Sequence, residues 1–171
     1  MRRDYFALDV RGVDWVDDDG GPRKPTLRID FRGPEEALLD RLEDLDAAAT
    51  DVAFRVRAAT PGAGPDREYD DGDDARDSDR DRDRDGGVLS VTNRLTGDFV
   101  LEVNAPVAEV ERFVDAARAY GRADDEDGRY RLEIRVAGEP SVSYEKRTFL
   151  VYDTDGELLR GRSLIPSGVE L

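Results

Sequence analysis

Two kinds of cluster in this chain have residue types and spacing that could do chemistry. The first is acidic. Asp81-Arg82-Asp83-Arg84-Asp85-Gly86-Gly87-Val88 reproduces the opening of a calcium loop, with oxygen ligands at the first, third and fifth positions, glycine at the sixth and an apolar residue at the eighth. The twelfth position should supply a bidentate Glu and is Thr92. The arginines between the acids also oppose a dication, and a strand rather than a helix is expected to follow. The stretch therefore reads as an Asp/Arg low-complexity tract, not a metal site. Asp17-Asp18-Asp19 and Asp70-Asp71-Gly72-Asp73-Asp74 could gather Mg²⁺ or K⁺ loosely, but in so acidic a chain they read as surface.

The second kind is basic. The chain has 24 Arg and only two Lys, Lys24 and Lys146. Lys146-Arg147, beside Tyr144, is a basic pair retained where lysine has otherwise been lost. With Arg160 and Arg162 across an expected hairpin, it could form a strip on the C-terminal sheet that receives an anion, an RNA backbone or an acidic partner. A ladder of cross-strand ion pairs with Glu145 and Glu157 competes with that reading. Nucleic acid is disfavoured, because attraction to phosphate weakens steeply with salt and the chain carries a net charge of −15.

What is missing excludes more than what is present suggests. There is no His and no Cys. Disulfides, thiolate nucleophiles, Ser-His-Asp and Cys-His hydrolases and most zinc enzymes are thereby excluded. No phosphate-cradling glycine loop or dinucleotide fingerprint occurs. No catalytic, cofactor-binding or metal-binding residue stands out. The 28 Asp and 13 Glu keep a surface hydrated and soluble in strong salt. Together with Arg in place of Lys, they point to the cytoplasm of an organism that holds molar salt, as a haloarchaeon does. No stretch is apolar enough for a membrane span, and Met1-Arg2-Arg3-Asp4-Tyr5 lacks the apolar run of a secretory signal.

The elements that must position these clusters follow from periodicity. Phe6, Leu8 and Val10 alternate as a strand; the phase slips at Gly12, and Val13 and Trp15 resume it. Leu27, Ile29 and Phe31 make a second strand. A helix opens at Pro34 and carries Leu38, Leu39, Leu42 and Leu45. Val52, Phe54 and Val56 make a third strand. The second half restarts with Val88, Leu89 and Val91, then Phe99, Leu101 and Val103, then a helix near Pro106 with Val107, Val110, Phe113, Val114 and Ala117 as its core stripe. Gly121 is expected to stop that helix. Tyr130, Leu132, Ile134 and Val136 alternate next, followed by Val142 and Tyr144. Thr148-Phe149-Leu150-Val151-Tyr152 is apolar on both faces and is expected to be central or doubly covered. Asp155-Gly156 should turn the chain into Leu158 and Leu159.

The expected class is α+β: a mainly antiparallel sheet of about eight strands with two helices packed on it. It divides into two strand-strand-helix-strand halves at residues 1–58 and 87–171, joined by a disordered acidic linker at 59–86. The second half adds a C-terminal hairpin. Strand leading into a Pro-started helix occurs in both halves, which suggests internal pseudo-symmetry.

The opening Met1-Arg2-Arg3-Asp4-Tyr5-Phe6, the segment Tyr144 to Asp153 and the ending Ser163-Leu164-Ile165-Pro166-Ser167-Gly168-Val169-Glu170-Leu171 resemble a haloarchaeal family of small uncharacterised proteins, a domain of unknown function. The resemblance implies a haloarchaeal origin and no known activity, cofactor or catalytic residue. The expected role is a non-catalytic adaptor or regulatory protein acting through protein contact or self-association, with Leu164, Ile165, Val169 and Leu171 as the interface. The alternative is a small-molecule or anion-binding domain built on Lys146, Arg147, Arg160 and Arg162.

Overall fold

Alternating side chains build most of the sheet. The computed structural model describes residues 3–16, 21–43, 45–58, 86–123 and 129–167. In it, β2 (Thr26–Phe31) buries Leu27, Ile29 and Phe31, and β6 (Tyr130–Val136) buries Tyr130, Leu132, Ile134 and Val136. The two strands run parallel, with Leu27 beside Leu132 and Ile29 beside Ile134, so their apolar faces merge. On the opposite face Arg28 lies 3.0 Å from Glu133 and Arg135 lies 3.8 Å from Asp30. β1 (Phe6–Arg11) pairs antiparallel with β2, and β7 (Glu139–Lys146) pairs antiparallel with β6.

The second sheet has the order β5 (Phe99–Pro106), β4 (Gly86–Asn93), β3 (Thr50–Val56), β8 (Leu150–Tyr152). Only β3 and β8 are parallel in it. With α1 (Glu35–Glu43) and α2 (Val107–Ala123), the described residues form eight strands and two α-helices, an α+β arrangement. The α+β class stands, and four of the six strand pairings are antiparallel; the eight strands divide into two mixed four-stranded sheets rather than one. The cause is an exchange of third strands. β3 leaves the first half to join β4, and β6 leaves the second half to join β2. The partners also differ: β6 runs parallel to the second strand of its hairpin, β3 antiparallel to the first of its own. The two halves therefore do not pair alike.

α2 buries Val110, Phe113, Val114 and Ala117 of the stripe its sequence predicts, leaves Val107 half-buried, and buries Ala116 and Tyr120 besides. Phe113 meets the rings of Tyr130 at 5.1 Å and Phe149 at 5.2 Å, both edge to face. Each such pair adds about 1 kcal/mol beyond its buried area. Both sheets and both helices contribute to one core.

Three local expectations are corrected. Asp14–Val16 is a 3₁₀ turn, so Trp15 does not resume the strand; the positive φ of Gly12, 69°, ends the extended run. Gly121 does not stop α2, which continues to Ala123. The apolar run at 148–152 is not central. β8 is three residues long and outermost in its sheet. Its open edge is covered by the C-terminal segment, where Phe149 and Leu164 exchange backbone hydrogen bonds of 2.9 and 2.8 Å and Leu159 N donates to Val151 O. That cover explains an edge strand with two apolar faces. The Asp155-Gly156 turn forms as expected, with Gly156 at φ 87°.

The calcium-like run at 81–85, Asp17-Asp18-Asp19, Asp70–Asp74 and all of the linker except Gly86 lie outside the described residues, as do Val169 and Leu171. Among the described residues, no helix is long and apolar enough to cross a membrane.

Candidate anion-binding cleft

Where α2 ends, β6 begins and the C-terminal 3₁₀ turn (Arg160–Arg162) passes, four arginines line a cleft of about 360 Å³. They are Arg118, Arg122, Arg129 and Arg160; among the described residues, no acid lines it. Helical geometry stacks Arg118 and Arg122 one turn apart on the same face. Like charges at that spacing cost a helix a few tenths of a kcal/mol. The negative end of the helix dipole offsets part of that cost for Arg122, in the last turn.

Each arginine is positioned differently. Arg118 donates to Gly161 O and, at 3.1 Å, to Ser163 O, which ties the C-terminal turn to α2. Arg129 directly precedes β6, and its backbone N–H donates to Lys146 O at 3.0 Å. Its side chain lies across the helix at Gly121, where a Cβ would come within 3.0 Å of Arg129 Cγ. Glycine here serves close passage rather than termination, which accounts for the helix running on. Arg160 projects from the turn and is exposed. Ser163 is buried; its hydroxyl accepts from Val151 N and donates to Leu159 O, both at 2.9 Å, so it fixes the turn. Among the described residues, the side chains of Arg122, Arg129 and Arg160 have no hydrogen bond or ion pair.

The strip expected from sequence does not converge. Of Lys146, Arg147, Arg160 and Arg162, only Arg160 lines this cleft. Arg162 pairs with Glu111 of α2 at 3.1 Å. Arg147 is exposed just past β7. Lys146 points the other way, into the α1–β3 connection, where its ammonium donates to Ala47 O at 2.7 Å and to Thr50 O. There the carbonyls of six successive residues, Leu45 to Thr50, each accept a hydrogen bond. The donors are Tyr144, Thr50, Lys146, Arg94 through side chain and backbone, and Lys146 again. Burial lowers the Lys146 pKa; Asp51 and Asp46 oppose that shift and Arg94 adds to it. Burial raises the pKa of Tyr144, with Asp46 adding to it. Tyr130, whose hydroxyl donates to Thr148 O at 2.7 Å, is raised further by its complete burial, Asp51 again adding.

Of the proposed interface residues, Leu164 is fully buried against Phe149. Ile165 is half-buried and forms one wall of the arginine cleft. Sequence reasoning missed Arg118, Arg122 and Arg129. The i,i+4 arginines of α2 were a readable signal; their meeting with Arg129 and Arg160 depends on long-range packing.

Chemically, the four guanidiniums of the cleft can hold an anion. Guanidinium stays protonated throughout the physiological range and is neither acid nor base there. Its forked donors suit carboxylate or phosphate oxygens. Among the described residues, no group of three or more acids clusters as a metal site. A family of unknown function, DUF5793, matches the chain over residues 1–171. No curated protein and no solved structure matches it.

Proposed function

We propose that this chain, which belongs to the DUF5793 family of unknown function, is a non-catalytic anion-binding module whose ligand sits in the arginine cleft. One observation carries the reading. Three guanidiniums without partners among the described residues face one concavity in a chain of net charge −15, where acids outnumber bases 41 to 26. On such a surface, arginines with no carboxylate partner among the described residues need a reason, and a bound anion supplies one. The acid excess further supports a salt-adapted, haloarchaeal, cytoplasmic protein. At 1 M salt the Debye length is about 3 Å, so long-range repulsion of an anion by the acidic surface fades while direct bidentate contacts persist. Full near-UV dichroism retained in dilute buffer would contradict the salt-adapted part of this reading.

Calorimetric titration with inorganic phosphate in molar KCl tests the binding. One saturable site is expected, lost in Arg122→Ala/Arg129→Ala. Absence of binding by the wild-type chain in both molar and dilute salt sinks the proposal.

An adaptor acting by protein contact or self-association is the second reading. Its support is the β4–β5 hairpin, where Leu95 is 77% and Phe99 58% exposed. Sedimentation equilibrium of wild type beside Leu95→Ser/Phe99→Ser tests self-association there. A wild-type monomer at all concentrations removes that form of it.

A further inference from the structure

The core takes one face of the sheet β1-β2-β6-β7. Strand register fixes what stands on the other. Across the four strands the outward residues form three rows: Arg11, Thr26, Arg131 and Glu145; then Asp9, Arg28, Glu133 and Ser143; then Ala7, Asp30, Arg135 and Pro140. Four arginines are thus set among four acids, with small neutral residues between. Ion pairs within the face join Asp9 to Arg11, Arg28 to Glu133 and Arg131 to Glu145. Both helices bury their apolar stripes in the shared core, so among the described residues neither covers this face.

The pattern is complementary to itself. A two-fold axis parallel to the strands, midway between β2 and β6, lays β2 over β6 of a second copy and β1 over its β7. Row by row, Arg28 then faces Glu133, Asp30 faces Arg135 and Arg11 faces Glu145, each pair occurring twice. Arg131 faces Thr26, Asp9 faces Ser143 and Ala7 faces Pro140, so no like charges meet directly. From this register we infer that the face binds a second copy of the chain in an isologous, face-to-face dimer. None of the arginines that line the cleft takes part. The operation keeps strand directions aligned, as packed sheets require. Stripping water from charge is the main cost of covering such a face. Here much of it is already met, because the side chains of Arg28 and Glu133 are each only 17% exposed. The Nε atoms of Arg28 and Arg135 are buried without a hydrogen-bond partner among the described residues, which leaves both arginines short of acceptors on their own face. A facing carboxylate supplies acceptors to their remaining donors. Repulsion between two chains of net charge −15 fades in molar salt, where the Debye length is about 3 Å, while closely facing pairs persist. The face spans on the order of 400 Å² in plane, from strand spacing and rise. That is below the roughly 800 Å² per partner of a standard complex, so the dimer should dissociate on dilution.

The test is sedimentation equilibrium of the full chain in molar KCl. A reversible monomer–dimer equilibrium is expected, and a monomer at every concentration overturns the inference. Ser143 is exposed and would face Asp9 of the other copy. Ser143→Arg should therefore tighten the dimer several-fold and Ser143→Asp loosen it by a similar factor. Arg28→Glu places like charges together and should abolish the dimer. Arg28→Glu/Glu133→Arg restores opposite charges within and between copies and should recover it. The two Ser143 variants decide the matter if Arg28→Glu fails to fold. A dimer indifferent to all of these substitutions overturns the assignment to this face. A dimer that resists them but is lost in Leu95→Ser/Phe99→Ser overturns it in favour of the β4–β5 hairpin.

Discussion

Lys146 and the arginine cleft lie on either side of the β6–β7 hairpin base, and the chain treats positive charge in opposite ways at the two. Around Lys146 each donor meets an acceptor: the ammonium takes Ala47 O and Thr50 O, and Tyr144 and Arg94 cover carbonyls beside them. At the cleft, Arg122, Arg129 and Arg160 surround open volume and have no partner among the described residues. The first arrangement closes the edge of one sheet onto the start of β3. In the second only Arg118 serves the fold, through Gly161 O and Ser163 O, and it stands one helical turn from the like charge of Arg122. Charge that is matched internally is structural; charge left unmatched over a concavity is available to a ligand. The difference also explains why one of only two lysines survives at position 146. Its compact ammonium, on a flexible stem, directs separate donors to two carbonyls from a half-buried position.

The comparison breaks first on a double substitution. Arg122→Ala/Arg129→Ala should weaken phosphate binding by at least about 100-fold, since each lost charge-assisted hydrogen bond costs about 1.5–3 kcal/mol. Its thermal midpoint should hold or rise slightly, because an unfavourable charge pair is removed. A large fall in midpoint with binding retained would reverse the roles assigned to the two regions.

Lys146→Met is the mirror image. It leaves Thr50 O, at a fully buried residue, without its donor, and the expected loss is about 1–3 kcal/mol of stability with phosphate affinity unchanged. Lys146→Arg keeps the charge and should still lose stability by denaturant titration. The lowered pKa of Lys146 does not conflict with this. It compares ammonium with amine in the same place, and either form can donate; methionine cannot.

Alkaline titration sharpens the account of the Lys146 side, where Tyr130, Tyr144 and Lys146 carry shifted pKa values. Tyr130 has a raised pKa when folded. Its contribution is complete below the ordinary value of 10.0 and is lost as pH rises from there through the folded value. Tyr144 acts in the same direction. Lys146, lowered when folded, acts oppositely: stability rises from its folded pKa up to the ordinary 10.5. Urea midpoints of wild type should therefore fall above about pH 10, and Tyr130→Phe should fall less steeply. Equal slopes in the two proteins would remove Tyr130 from the account.

Much of this architecture is legible in the chain, for physical reasons. Leu27, Ile29 and Phe31, and Tyr130 to Val136, show period-two burial because one face of each strand is wet. The α2 stripe shows helical period for the same reason. What was not legible is non-local. Nothing within β3 or β6 says that each joins the other half's hairpin, so one sheet was expected where two exist. The run at 148–152 looked central because its cover comes from Leu158 to Leu164 rather than from neighbouring strands on both sides. The cleft was visible only through Arg160. Its other members lie in α2 and just before β6, and long-range contacts, the packing of Phe113 against Tyr130 and Phe149 and the hydrogen bonds of Arg118 to the C-terminal turn, bring those segments together.

Gly121 gives the smallest effect and the finest discrimination, because its two consequences have opposite signs. Within a helix, alanine is favoured over glycine by up to about 1 kcal/mol. Gly121 lies two residues from the end of α2, where fraying reduces that gain to roughly a few tenths. A methyl group at this position would crowd the Arg129 stem, now 3.0 to 3.1 Å from where the Cβ would stand. That stem is the flexible part and must move, carrying its guanidinium out of register with Arg122 and Arg160. Gly121→Ala should therefore raise the thermal midpoint slightly while weakening phosphate binding several-fold. If glycine were present only because the helix tolerates it, the midpoint would rise and affinity would stay the same. If it were needed for the fold, both would fall. Only the split outcome, a more stable protein that binds less well, assigns Gly121 to the placement of Arg129.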